Sequence, residues 1–325
     1  MSRRAHPVKP WIVYGLGILL LVTGTVSFAR RVSALEPVTG LDWKQSSGGA
    51  VVLSVEPGSP GWGAGVLPGD RLVRVDGRPI DNVVQATEFP WTVSPGGTAK
   101  LELLRAGKPV EVALKPGWRP LTPRVPVYAY LSLVGLAFLV SGAFIALRWP
   151  RARGGIIYAV LCASLFILLV YSPTGEADLL DWSVSWLDLM AGAMVPALLL
   201  HLAIALSRRA WRHGRLGLIV AYTTAGALAV ATIWLVTFGG RYLFESPAAA
   251  LELRDRVQLL FLVASVPLAV QLFTRSYARS SSALHRSQMR WMLWGLGAGL
   301  VPFIVFYAVP WLLGASIPSW VELSV

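Results

Sequence analysis

The stretch Val51–Ile80, VVLSVEPGSPGWGAGVLPGDRLVRVDGRPI, decides how the first third of the chain folds. Val51–Val55 and Arg71–Val75 alternate apolar and polar residues with the period of half-buried strands. Breakers at Pro57-Gly58, Pro60-Gly61 and Pro68-Gly69 separate them, and Gly61–Gly65 leaves room for only about one helical turn. An Asp76-Gly77 turn closes the second strand. Working outward, Lys100–Leu104 and Pro109–Leu114 read as strands joined at Ala106-Gly107-Lys108. Asn82–Trp91 reads as a helix, capped by Asp81 or Asn82 and stopped by Pro90. These elements predict a small α+β domain over 34–118, followed by a stiff link at Pro116, Pro120, Pro123 and Pro126.

Composition says what surrounds this domain. With 55% hydrophobic and 14% charged residues among 325, the chain is far more apolar than a soluble protein of its length. Seven stretches, each about 20 residues long and charge-free in its interior, predict membrane spans. They lie at 11–29, 126–147, 155–172, 186–207, 216–239, 257–274 and 291–314. The first is read as an uncleaved anchor rather than a signal peptide, because it is long and Arg30-Arg31 follow at once. The predicted fold class is therefore an α-helical polytopic membrane protein of about seven transmembrane helices with an inserted α+β domain.

Charge sets the expected orientation. If the basic residues 1–10 are cytoplasmic, the segments 1–10, 148–154, 208–215 and 275–290 share that side and hold fourteen of the 29 Lys and Arg but none of the 17 Asp and Glu. The net charge of +12 is then topology rather than nucleic-acid binding. The α+β domain faces outward, as does the loop Ser172–Ser185 with Glu176, Asp178 and Asp181. The chain is expected in a bacterial inner membrane, in contact with lipid.

The order of strand, short helix, Pro-Gly-Asp turn, strand and Asp-Gly turn resembles a bacterial PDZ domain, carried by Glu56-Pro57-Gly58-Ser59-Pro60, Ala64-Gly65-Val66, Pro68-Gly69-Asp70 and Val75-Asp76-Gly77. The resemblance implies strand addition of an extended peptide in a groove between the domain's second strand and its helix. Gly40-Leu41-Asp42-Trp43 stands where the family has its carboxylate-binding loop; Leu41 and Trp43 are expected on one wall and Val83, Val84 and Thr87 on the other. Asp42 would oppose a peptide carboxylate, and Gln45–Gly49 is polar and Gly-rich for a second strand. A rigid spacer or dimer contact is the competing reading of the same residues.

Catalytic patterns are missing from the sequence. His6, His201, His213 and His285 form no His-Glu-x-x-His, and no Gly-x-Ser-x-Gly, P-loop or dinucleotide fingerprint occurs, so neither metal nor cofactor is expected. Cys162 is the single cysteine, which excludes an internal disulfide. His201 is read as the one ionisable group within the spans: a candidate sensor, or a neutral imidazole bonded to a carbonyl, Gln258 or Gln271.

A second resemblance sits at the seventh span. Arg286, Gln288, Arg290, Trp291, Trp294 and Gly295 are similar to a basic-Gln-basic-Trp-Trp-Gly pattern in multi-span bacterial sensor histidine kinases, some of which carry a PDZ domain after their first span. The pattern also suits a lipid anchor, with Gly295 and Gly299 offering a small-residue packing face. Together the resemblances imply a sensory module, with homodimerisation implied by the kinase likeness. A scaffold or protease partner is the alternative, and a transporter a third reading. Parity puts 315–325 outside, so an eighth span and a cytoplasmic output domain, a histidine kinase first, are expected beyond it.

Overall fold

A computed structural model describes residues 9–46, 49–121, 125–152, 154–174, 178–207, 214–237, 247–280 and 282–314. The expected start of an eighth span at 315–325 lies outside them. The chain divides into two units: Arg31–Pro123 with Trp234–Leu253, and Met1–Arg30 with Arg124–Ile233 and Arg254–Val325.

Helix α1 (Pro10–Ser33) precedes the α+β unit, whose chain runs β1 (Leu35–Val38), β2 (Leu41–Ser46), β3 (Gly49–Val55), the one-turn helix α2 (Pro60–Gly63), β4 (Arg71–Val75), β5 (Arg78–Pro79), α3 (Val83–Glu88), β6 (Ala99–Arg105), β7 (Lys108–Leu114) and β8 (Gly117–Pro120). The main sheet is antiparallel with order β2-β3-β4-β6-β7. Alternation puts Ala50 and Val52 of β3 and Ala99, Leu101 and Leu103 of β6 on the inner face, and a register shift between Leu72 and Arg74 brings both Leu72 and Val75 of β4 to it, all in one core with Val66, Ala86 and Phe89. Two hairpins close on left-handed pairs, Asp76-Gly77 and Ala106-Gly107, the backbone that matches the twist of tight two-residue turns.

Four features depart from the expectation. Pro90 ends α3 early, and the chain continues as a 3-10 turn, Phe89–Thr92. The polar Gln45 and Ser46 do form a strand, because backbone pairing to Ala50 and Gly49 does not need apolar side chains on an edge. The supposed proline link contains β8, which pairs with β1 from Leu35↔Pro120 to Val38↔Gly117. The Leu121 N–H donating to the Ala34 carbonyl at 3.0 Å seals the ends of the domain.

A buried ion pair holds the Pro-Gly-Asp turn. Asp70 is 1% exposed and accepts from the Leu67 N–H at 2.9 Å and from Arg105 Nε and Nη2 at 2.8 and 2.7 Å. Burial by itself would raise the Asp70 carboxyl; the Arg105 bond, the Leu67 N–H and the Arg105 charge outweigh it and hold the group below its ordinary value.

The second unit is helical: α4 (Val125–Arg148), α5 (Gly155–Val170), α6 (Leu179–Leu206), α7 (Gly214–Thr237), α8 (Pro247–Ala278), α9 (Ala283–Phe303), a π-helical turn (Ile304–Ala308) and α10 (Val309–Leu312). Among the described residues, six helical segments are long and apolar enough to cross a membrane: 10–33, 125–148, 179–206, 214–234, 253–278 and 286–312. The expected count of seven is not confirmed among the described residues: α5 has 16 residues and about 24 Å of rise, less than a ~30 Å hydrocarbon layer. The expected outer loop is also shorter, since α6 begins two turns early: Asp178 caps it through the Asp181 N–H at 2.7 Å, and buried Asp181 accepts from the Thr174 N–H at 2.6 Å. Arg30 at the end of α1 pairs with Asp178 at 2.5 Å, so these two residues share one end of the bundle.

Two expectations about buried polarity are corrected. His201 meets neither glutamine; its Nδ1 lies 2.9 Å from the Tyr222 hydroxyl on α7. Nor is it alone, for Asp188 stands nine residues inside α6.

Three outcomes follow for the α+β domain, all read by urea and thermal unfolding of a purified fragment. Arg105→Ala should lower the stability of the domain by leaving the buried Asp70 carboxylate without its cation. The depressed Asp70 carboxyl stabilises the fold above its unfolded value near ~3.9, and that contribution is lost as pH falls through the folded value, so the gap between wild type and Asp70→Asn should close on acidification. Residues 34–121 should unfold cooperatively, with a midpoint roughly 5 °C above that of 34–118, which truncates β8. Equal midpoints would remove β1–β8 pairing from the domain.

Candidate functional site

The site is built from a clamped loop, an edge strand and a helix. Thr39–Leu41 leads into β2 with Gly40 at φ +67°, where a Cβ would lie 2.2 Å from that of Ser59. Gly61 is equally constrained, since its Cβ would meet Leu41 Cδ2 at 2.4 Å. Backbone bonds lock the loop in place: Gly61 N–H to the Thr39 carbonyl at 2.8 Å and Glu56 N–H to the Gly40 carbonyl at 2.9 Å. Glycine here serves close approach, and the loop's geometry is fixed before any ligand arrives.

Strand β2 pairs with β3 on one side only and ends the sheet on the other. Its residues alternate. Leu41 is buried and Trp43 half-buried against the core, whereas Asp42 and Lys44 are exposed. The Asp42 carboxylate accepts from the Ser54 hydroxyl across the hairpin, so its charge lies on the face opposite Leu41 and Trp43 rather than beside them. A bulge between Asp42 and Trp43 puts two residues of β3 against one of β2.

Helix α3 supplies the other wall. Asn82 accepts from the Gln85 N–H at 2.9 Å while Gln85 accepts from the Asp81 N–H at 2.7 Å, a reciprocal cap legible in Asn82-x-x-Gln85. Val83 is buried at 3% exposure, and Thr87 is exposed with its hydroxyl donating to the Val83 carbonyl at 2.9 Å. The side chain of Val84 lies outside the described residues. One residue that the sequence reading passed over joins the two walls: Gln45 Oε1 accepts from the Val83 N–H at 2.8 Å, tying the end of β2 to the start of α3. Its signal in the sequence was hidden in a segment judged too polar to be a strand.

The remaining candidates lie in the helical unit. Arg286, Gln288, Arg290, Trp291 and Trp294 are exposed on α9, while Met289 and Leu296 turn inward. A Cβ on Gly295 or Gly299 would meet nothing within 4 Å, so the small-residue face is not packed within this chain. Among the described residues, no group of three or more His, Cys, Asp or Glu could hold a metal ion.

Comparison with known proteins locates the family of the first unit. A PDZ domain profile matches residues 37–115. A probable periplasmic serine endoprotease DegP-like of Rhizobium meliloti (strain 1021) is 33% identical over 115 residues, 34% of this chain and 23% of that protein. The periplasmic pH-dependent serine endoprotease DegQ of Escherichia coli (strain K12) is 42% identical over 64 residues, 20% of this chain and 14% of that one. The chain thus spans less than a quarter of the length of these relatives. Among solved structures, the HtrA3 PDZ domain bound to a phage-derived ligand is 25% identical, covering 26% of this chain and 88% of that one with a TM-score of 0.24. The HtrA-type protease AlgW with a decapeptide is 22% identical, covering 26% and 30% with a TM-score of 0.25. Pairing of β2 with β3, the helix beyond its far edge and the matched residues agree: residues 37–115 of this chain are a PDZ domain.

Proposed function

We propose that the chain is a membrane-embedded receptor module whose PDZ domain, outside the cytoplasm, takes an extended peptide or unfolded protein segment as an added strand on β2. The observation that carries this reading is the edge of β2, unpaired in the sheet and flanked by α3 with the clamped Thr39–Leu41 loop at its start. Backbone groups along β2 supply affinity, Trp43 and Thr87 supply contacts for alternate side chains, and Asp42 stays on the far face. An outward position is supported by the charge asymmetry of the loops and by the periplasmic relatives of the domain.

The finer reading, a sensor with a histidine kinase output, rests on the likeness of Arg286–Gly295 to the span entry of such receptors. Delivery of envelope proteins to a protease is the second reading, favoured by the kinship of the PDZ domain to those of endoproteases. Peptide capture is common to both.

Binding is tested with residues 34–121 against a library of free C-terminal and internal peptides. Trp43→Ala and Thr87→Glu should weaken the selected peptide by about ten- to a hundredfold; Thr87 is exposed and its variant should keep a midpoint near wild type, whereas Trp43→Ala should lower the midpoint but still unfold cooperatively, because Trp43 packs against the core. Arg78→Glu, in the exposed strand β5, should leave binding unchanged. Leu41→Glu and Val83→Glu are poor probes: both side chains are buried, and a charge there unfolds the domain. Equal loss at Trp43, Thr87 and Arg78, or no selected peptide, would overturn the groove.

Orientation has its own test. In a Cys162→Ser background, a cysteine at Ser94 should react with a membrane-impermeant maleimide in intact cells, and cysteines at Ala152 or Ser282 should not. Reversed labelling would place the PDZ domain in the cytoplasm and end the receptor reading.

A further inference from the structure

A cavity of about 240 Å³ lies among α5, α6, α8 and the end of the last helix. Leu168, Val195 and Leu262 make apolar walls, and Asp255, Gln258 and Tyr307 bring polar groups into them. The backbone makes room in two ways. Gly192 has no side chain where a Cβ would stand 2.1 Å from Gln258 Nε2, and the π-helical turn that carries Tyr307 follows Pro302. Asp188, Gly192 and Pro196, spaced by four, share one face of α6, so Asp188 sits one turn from the lining.

The polar groups at and beside this cavity are open to a ligand. Asp188, Gln258 and Tyr307 have no hydrogen-bond partner among the described residues, although all three are at least half-buried in helices apolar enough to span a membrane. Charge accounting gives its preference. Arg254 is engaged with Asp255 through Nε at 2.8 Å and Nη2, and Arg256 lies 5.8 Å above the Trp311 ring. Asp188 makes no contact ion pair among the described residues, and the charges that act on it are Arg254 and Asp255. An arriving anion would face two carboxylates, whereas a monocation would balance Asp188 and draw on Gln258 and Tyr307.

We infer that this cavity is a binding site for a small organic cation, an ammonium group on an apolar body, with Asp188 as counter-ion and Gln258 and Tyr307 as orienting groups. The site is independent of the PDZ groove. A soluble amine and an ethanolamine lipid headgroup offer the same chemistry.

The test uses the full chain in phosphatidylglycerol nanodiscs with benzylamine as probe, and benzyl alcohol and phenylacetate as controls, followed by ligand-observed NMR. Benzylamine should bind saturably with Kd on the order of 1 mM, and phenylacetate should not bind. Asp188→Asn should weaken benzylamine at least about tenfold, Tyr307→Phe and Gln258→Leu by several-fold, and Trp43→Ala not at all. Should Asp188→Asn fail to fold, the Tyr307 and Gln258 variants decide. Weakening by added phosphatidylethanolamine assigns the headgroup as the natural source, and its absence assigns a soluble amine. No saturable benzylamine binding, equal binding of phenylacetate, or affinities unchanged in all three variants would overturn the site.

Discussion

The groove depends on a carboxylate that never touches it. Asp70 anchors the turn between α2 and β4 by accepting from Leu67 and from both nitrogens that Arg105 presents, while Arg105 Nη2 also reaches the Gly65 carbonyl at 2.7 Å. The same turn exchanges backbone bonds with β3: Val52 N–H to the Asp70 carbonyl at 2.8 Å and Gly69 N–H to the Val52 carbonyl at 2.9 Å. β3 in turn is the only strand that holds β2. One buried ion pair therefore sets the height of the edge strand relative to α3. Removing either partner leaves an uncompensated charge or an orphaned donor rather than a neutral gap.

How much of this was legible follows from which forces act locally. Strand β4 and the hairpin turns could be read because alternation and positive-φ residues are written in neighbouring positions. The β1–β8 pair could not, because its partners are about eighty residues apart and its four-residue strands contain Pro37 and end at Pro120. β2 was obscured for a different reason: an edge strand with one solvated face can carry Asp42, Lys44 and Gln45, so its composition looks like a loop. The expected groove residues fall on the loop before β2, on β2 and on α3, but their accessibility could not be read from position along the chain. Leu41 and Val83 turned out to be interior, which only the packing of α3 on the sheet decides.

In the helical unit, apolar length located the helices well and hid the polar groups. Averaging over about 20 residues makes a single acid such as Asp188 invisible, and it does not show that α5 is only 16 residues long. The partner of His201 was out of reach for the same reason, since a histidine on α6 selects Tyr222 by helix packing and not by spacing. Satisfied and unsatisfied polar groups then part company. His201 spends its Nδ1 on Tyr222, and Asp181 spends its oxygen on Thr174, whereas Asp188 has no such bond.

An exposed strand edge is also a hazard, because any extended chain can pair with it. β2 has the features that restrain this: it is only six residues long, Lys44 and Asp42 project from its outer face, and a bulge interrupts its register. The Gln45–Val83 bond fastens one end of the strand to α3, so a second sheet cannot slide along it without breaking a hydrogen bond. A single peptide, one strand wide and lying between β2 and α3, meets neither obstacle. On the proposed peptide-binding reading, selectivity for a lone strand over a sheet edge would arise from the helix beside β2, and Gln45, the polar residue that disguised the strand, ties that helix to the strand.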